Sequence, residues 1–124
     1  MIPMTVADIL DRWTICLLKK HVGKLDTSAE MAEYKEELQS LKLDDLPKEL
    51  LNQWMMRLLI HNTQVWVFES EIRNAKDGDY NVAEIARSAL MTRDGNRLRC
   101  VVKQEISDYF NQTKDLKADT LAAP

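Results

Sequence analysis

Apolar residues recur along this chain at intervals of three and four, the repeat of helices that bury one face. Over residues 5–21 the positions Val6, Ile9, Leu10, Trp13, Cys16 and Leu17, with Lys20, follow this spacing. Thr5 followed by Asp8 is an acidic variant of the capping box, and Gly23 supplies the stop. A second helix is expected over residues 27–42, opened by Thr27 and Glu30. Its stripe is thin (Met31, Tyr34, Leu38, Leu41) and the rest is charged, which places it on the outside. A third and longest helix is expected over residues 47–76, with Pro47 at its first position and Gly78 ending it. In heptad terms Leu51, Leu58, Val65 and Ile72 fill one core position, while Met55, Asn62 and Glu69 fill the other. A fourth helix should cover residues 81–91 behind an Asn81 cap, and a fifth residues 94–110, with an Asp94-Gly95 turn between them.

The expected fold is therefore all-α, an antiparallel bundle of about five helices with a long central helix three. Residues 1–111 are expected to form a single helical domain and residues 112–124 a flexible C-terminal tail without an apolar stripe. Three glycines and three prolines in 124 residues leave Pro47 as the one interior helix breaker, in keeping with an all-helical chain. Trp54, Met55, Met56, Leu59 and Trp66 make helix three apolar on more than one side, which points to a homo-oligomer, a dimer or higher.

With 45% apolar and 30% charged residues the chain can bury a core and stay soluble. A net charge of −3 argues against general nucleic-acid binding. The charge is unevenly placed, because Arg87, Arg93, Arg97, Arg99 and Lys103 stand against Asp94 alone between Ile85 and Lys103. Cys16 and Cys100 read as buried free thiols of a reducing compartment. No basic-then-apolar leader opens the sequence and no run approaches the roughly 18 apolar residues of a membrane span. The expected location is the cytoplasm, of a bacterium or of a phage-infected host cell, with no membrane partner.

Two groups of residues could carry a site. Asn62, Glu69 and Arg73 lie in one seam of helix three, with Glu69 four residues before Arg73, so that a held arginine could meet an anion. Asp11 and Arg12 pose a similar case on helix one, where a solvated face accounts for the pattern equally well. The stretch MTRDGNRLR would place Thr92, Arg93, Asp94 and Arg97 at the start of helix five, where unpaired N–H groups favour a phosphate, with Arg87 arriving from helix four. The competing reading is that Asp94 caps the helix and neutralises it. Catalytic signatures are scarce: no Gly-rich phosphate loop and no nucleophile with a histidine partner by motif is present. Glu33-Tyr34-Lys35-Glu36 matches the first half of the paired-carboxylate signature of all-helical nucleoside triphosphate pyrophosphohydrolases, but no Glu-x-x-Asp follows on helix three. No cofactor, metal ligand set or catalytic residue is assigned.

The segments ADILDRWTICLLK, VWVFESEIRNA and IARSALMTRDGNRLRCVVKQEI resemble a family of small all-helical bacterial and phage proteins of unknown function. The matching positions in the last segment are Ala86, Arg87, Ser88, Thr92, Asp94, Arg97 and Lys103, while Gly95 and Ser70 depart from the pattern. The resemblance implies where a site lies, not its chemistry.

The leading expectation is non-catalytic binding of a phosphorylated small ligand such as a nucleotide, sequestering a signalling nucleotide if the chain is phage-encoded. The binding residues would be Arg12, Asn62, Glu69, Arg73, Arg87, Thr92, Arg93, Asp94 and Arg97. The alternatives are a self-assembling scaffold or interaction protein and a Mg-dependent pyrophosphohydrolase-like enzyme.

Overall fold

The computed structural model describes the backbone of residues 4–41, 43–75 and 81–122, and side chains as far as Asn111. Four helices account for it: α1 (Val6–His21), α2 (Ser28–Ser40), α3 (Lys48–Ala75) and α4 (Val82–Ala122). No strand occurs among the described residues. Gly78 and the stop expected there, and the side chains of the expected tail, lie outside the described residues.

Local chemistry sets the starts of α1 and α4. The Thr5 hydroxyl accepts from the Asp8 N–H at 3.2 Å and donates to the Asp8 carboxylate at 3.0 Å, closing the α1 N-terminus as its spacing implied. The Asn81 side chain accepts from the Ala83 N–H at 2.8 Å and opens α4. Thr27 stands at the N-cap of α2 without capping it; its hydroxyl donates to the Cys16 carbonyl at 3.3 Å and ties α2 back to α1. At the α1 exit the left-handed residue is Lys24 (φ 56°), not Gly23. Gly23 is required for space: a Cβ there would lie 2.9 Å from the Lys19 carbonyl and 3.4 Å from the Trp66 ring.

The expected break between helices four and five is absent. Asp94 and Gly95 are helical, and α4 runs through them without interruption. An Asp-Gly pair is a turn signal because glycine costs about 1 kcal/mol in a helix. Here a tertiary contact overrides that cost. Gly95 is buried against α3, and a Cβ on it would lie 2.9 Å from Val65 Cγ2, 3.3 Å from Gln64 Cγ and 3.4 Å from the His61 carbonyl. The glycine lets two long helices cross closely; it does not turn the chain.

The α3–α4 pair is the main body of the fold, an antiparallel hairpin, with α1 against one side of it and α2 touching α1 alone. α1 runs parallel to α3 and antiparallel to α4, so that Asp8 and Asp11 face Lys103 and Arg99. The apolar core (Ala7, Leu10, Trp54, Leu58, Val102, Ile106) fills one end of this three-helix wedge. Tyr109 and Phe110 close that end, their rings 5.4 and 6.1 Å from that of Trp54. α2 buries no residue, as its thin stripe implied.

Candidate functional site

Next to the apolar core the wedge turns polar. Asp11 is 2% exposed, Thr14 0% and Asn62 4%, and each comes from a core-facing helix position. The Asn62 amide donates to Asp11 Oδ1 at 2.9 Å and to Thr14 Oγ1 at 2.8 Å. Thr14 in turn donates to the Asp11 carbonyl at 2.6 Å. The second Asp11 oxygen faces α4: Arg99 Nε reaches it at 3.1 Å and Nη2 at 2.9 Å, with Lys103 Nζ at 3.9 Å. Lys103 sits closer to Asp8, at 3.0 Å. That hydrogen bond, with help from the Thr5 hydroxyl and Arg12, holds the Asp8 carboxyl below its ordinary range although partial burial opposes the shift.

Two carboxylates from α1 and two cations from α4, joined by the Asn62 amide of α3, thus form one network in which the formal charges cancel. A buried carboxylate is tolerable only with partners, and both Asp11 oxygens are occupied. Asp11 is closed from both sides, while Arg99 and Lys103 keep 27% and 29% of their side chains exposed. The network bears on register: only at this height of α1 on the hairpin does Asp11 meet Asn62 and Arg99 together.

The residues expected from sequence divide sharply. Asn62 is at the centre of the network. Arg12, one residue from Asp11, is exposed and reaches the network only as a distant charge on Asp8. Glu69 and Arg73 are exposed and, among the described residues, no ion pair joins them; the seam they share with Asn62 extends beyond the part of α3 that α1 covers. Thr92 is half-buried with its hydroxyl on the Ser88 carbonyl at 2.9 Å. Arg93, Asp94 and Arg97 lie mid-helix, where every N–H is already used, so the helix N-terminus that should have gathered them does not exist. Arg93 and Asp94 approach at 3.6 Å on the surface.

Arg87 lines a cleft. About 470 Å³ opens between the C-terminal part of α3 and the start of α4, bounded by Phe68, Glu71, Asn81, Glu84, Arg87 and Ser88. The Ser88 hydroxyl donates to Glu71 at 2.8 Å. Two carboxylates against one guanidinium make this cleft poorly suited to a phosphate on charge alone. The described residues gather no three His, Cys, Asp or Glu side chains where a metal could be held. Glu33 and Glu36, on α2, are remote from α3, which α2 does not touch.

Sequence reasoning missed Asp11, Thr14, Arg99 and Lys103 as one group. A signal was present. Ala7, Asp11, Thr14 and Leu18 form a single stripe at spacings of four, three and four, and all four are buried. A carboxylate inside such a stripe calls for a cation on a facing helix.

Cys16 is buried and Cys100 exposed, so the expectation of two buried thiols holds for the first only. Burial raises the Cys16 pKa, and its thiol points at the Glu30 carboxylate 3.5 Å away. No helix among the described residues is long and apolar enough to cross a membrane. No family model, curated protein or solved structure matches the chain.

Proposed function

We propose that this chain is a small, non-catalytic helical interaction protein, in which the polar layer fixes α1 on the α3–α4 hairpin and the opposite face of the hairpin makes contact with a partner. The observation that carries this reading is the closure of the network around Asp11. Its buried polar groups are matched to one another, so their role is to specify packing. The outer surface of the hairpin meanwhile leaves Met56, Ile60, Val67, Leu90 and Val101 between 43% and 59% exposed on two neighbouring helices, and grouped exposed apolar side chains mark interaction sites.

A second reading, a phosphorylated small ligand such as a nucleotide, is favoured by one observation: Arg87 borders a cleft large enough for one, beside the hydrogen-bonding groups of Asn81 and Ser88. Thermal-shift titration with nucleoside mono- and triphosphates and sugar phosphates separates the two. The interaction reading expects no anion to raise the melting temperature of the wild type. A rise of several degrees that Arg87→Ala abolishes, with folding intact, would overturn it in favour of the ligand.

A further inference from the structure

We infer that the partner of the exposed hairpin face is a second copy of this chain, docked about a two-fold axis that crosses α3 and α4 at the level of Gly95. The inference rests on the interaction reading above and names its partner.

Contacts fix which faces of the hairpin are free. On α3, Asn62 and Trp66 turn to α1, while Arg57, Gln64 and Val65 turn to α4. On α4, Arg99 and Lys103 turn to α1, while Gly95 and Glu105 turn to α3. What remains on α3 is the stripe Met56, Ile60, Thr63 and Val67, and on α4 the stripe Leu90, Asp94, Arg97 and Val101. Met56, Ile60 and Val67 are 59%, 57% and 43% exposed, and Leu90 and Val101 are 50% and 46%. Thr63 spends its hydroxyl on the Leu59 carbonyl at 2.6 Å, which leaves the α3 stripe without a polar demand of its own.

Both stripes have the spacing four, three, four, which reads the same in either direction. The midpoint of the first falls between His61 and Asn62, and that of the second between Gly95 and Asn96. The two midpoints lie side by side in the fold: a Cβ on Gly95 would approach the His61 carbonyl to 3.4 Å. A single two-fold axis perpendicular to the helices therefore serves both stripes at once. It lays α3 antiparallel on α3 and α4 antiparallel on α4 of the second copy, an all-antiparallel four-helix layer pair.

Under that operation apolar meets apolar and charge meets opposite charge. Met56 faces the second copy's Val67, and Ile60 its Thr63. Leu90 faces its Val101, and Asp94 its Arg97, each pair occurring twice. A two-fold interface must be complementary to itself, and a random surface is not. In the single chain Arg97 has no ion-pair partner among the described residues, and Asp94 has only the exposed Arg93. The pairing supplies each with one.

The test uses full-length chain and sedimentation equilibrium at concentrations up to roughly 100 μM, where even a dissociation constant of tens of micromolar is visible. Wild type is expected to reach twice the monomer mass. Asp94→Arg and Arg97→Asp should each weaken self-association about tenfold or more, because each places two like-charge pairs across the axis. The two single variants mixed in equal amounts should form a heterodimer, since one then carries two arginines and the other two aspartates at the facing positions. Circular dichroism and melting of each variant alone, both positions being at the surface, verify that it is folded. A monomeric wild type overturns the inference, as does a dimer that neither single variant weakens. A monomer that no phosphate ligand stabilises would sink this partner while leaving the interaction reading in place. An anion that raises the melting temperature through Arg87 would sink the interaction reading whatever the mass.

Discussion

The Asn62 amide donates to the Asp11 carboxylate over 2.9 Å although 51 positions separate the two residues. This bond joins α1 to α3, and the other oxygen of the same carboxylate joins α1 to α4 through Arg99. One side chain thus holds three helices in register.

Removing that carboxylate should be costly. Asp11→Ala leaves the Asn62 amide with Thr14 as its one remaining acceptor and takes the carboxylate away from Arg99. Breaking one partner of a buried pair costs about 3–5 kcal/mol, and the low end is expected because Arg99 keeps 27% of its side chain exposed. Replacing Asp11, Asn62 and Arg99 together by leucine, leucine and methionine should return most of the loss. Urea unfolding of the single and triple variants measures both values; equal losses would show that the network has no pairing role.

Gly95→Ala tests the helix crossing. Helix propensity alone favours alanine by about 1 kcal/mol. Forcing a methyl group against Val65 Cγ2, 2.9 Å from where it would sit, costs about 1–3 kcal/mol in a packed interface. Net destabilisation is expected, and adding Val65→Ala should reduce or reverse the Gly95→Ala effect. Thermal melts of the four combinations form the cycle; additive changes would place Gly95 outside the contact.

These two sites mark how far the sequence could be read. Thr5 with Asp8 and the Asn81 cap were legible because their hydrogen bonds close within three residues. Helix α3 and the outer position of α2 were legible from apolar spacing. Asp94-Gly95 was misread because the turn propensity is local while the contact that overrides it comes from Val65, on another helix. Asn62 was found as a polar residue in a core position; the stripe Ala7, Asp11, Thr14 and Leu18 puts Asp11 on the buried face, but nothing local on α1 shows that Asn62 and Arg99 are what it meets. The arginine-rich stretch shows the same limit. Arg99 points inward and Arg97 outward, a distinction set by the position of α1.

Acid should destabilise the protein in two separate windows. His61 has its Nδ1 buried and without a partner among the described residues, and burial, with Arg57 adding to it, lowers its pKa. The unfolded chain therefore takes up that proton first, and stability falls as pH drops below about 6.5 toward the lowered folded value. Asp8, hydrogen-bonded to Lys103, and Glu105, forked by Arg57, are also lowered. Their contribution is complete above about pH 4.5 and is lost as pH falls through their folded values. His61→Gln should flatten the stability profile between pH 7 and 5 and leave the lower window; Lys103→Gln should remove the Asp8 share of the lower window, leave that of Glu105, and not touch the upper one. Denaturant midpoints across pH 3–8 report both.

The two thiols should differ in reactivity. Cys100 is exposed and Cys16 buried with its pKa raised, so a disulfide reagent should titrate one thiol rapidly in the native protein. The second should react only at the rate of opening of α1 or α2, or after denaturation. Two fast equivalents would place Cys16 at the surface.

The unequal sharing of contacts among the helices sets an order of events in time. α3 and α4 are neighbours in sequence and meet along most of the length of α3, so their zipper can close before α1 arrives. α1 has little to dock on until that zipper exists, because Arg99 and Asn62 must stand side by side to receive Asp11. The rate-limiting barrier is then expected to be crossed with the hairpin formed and α1 still wet. Stopped-flow measurements should find that changes at Gly95 slow refolding, whereas changes at Asp11 leave refolding almost untouched and hasten unfolding. The same chain would thus owe the speed of its folding to a glycine and its lifetime in the folded state to an aspartate.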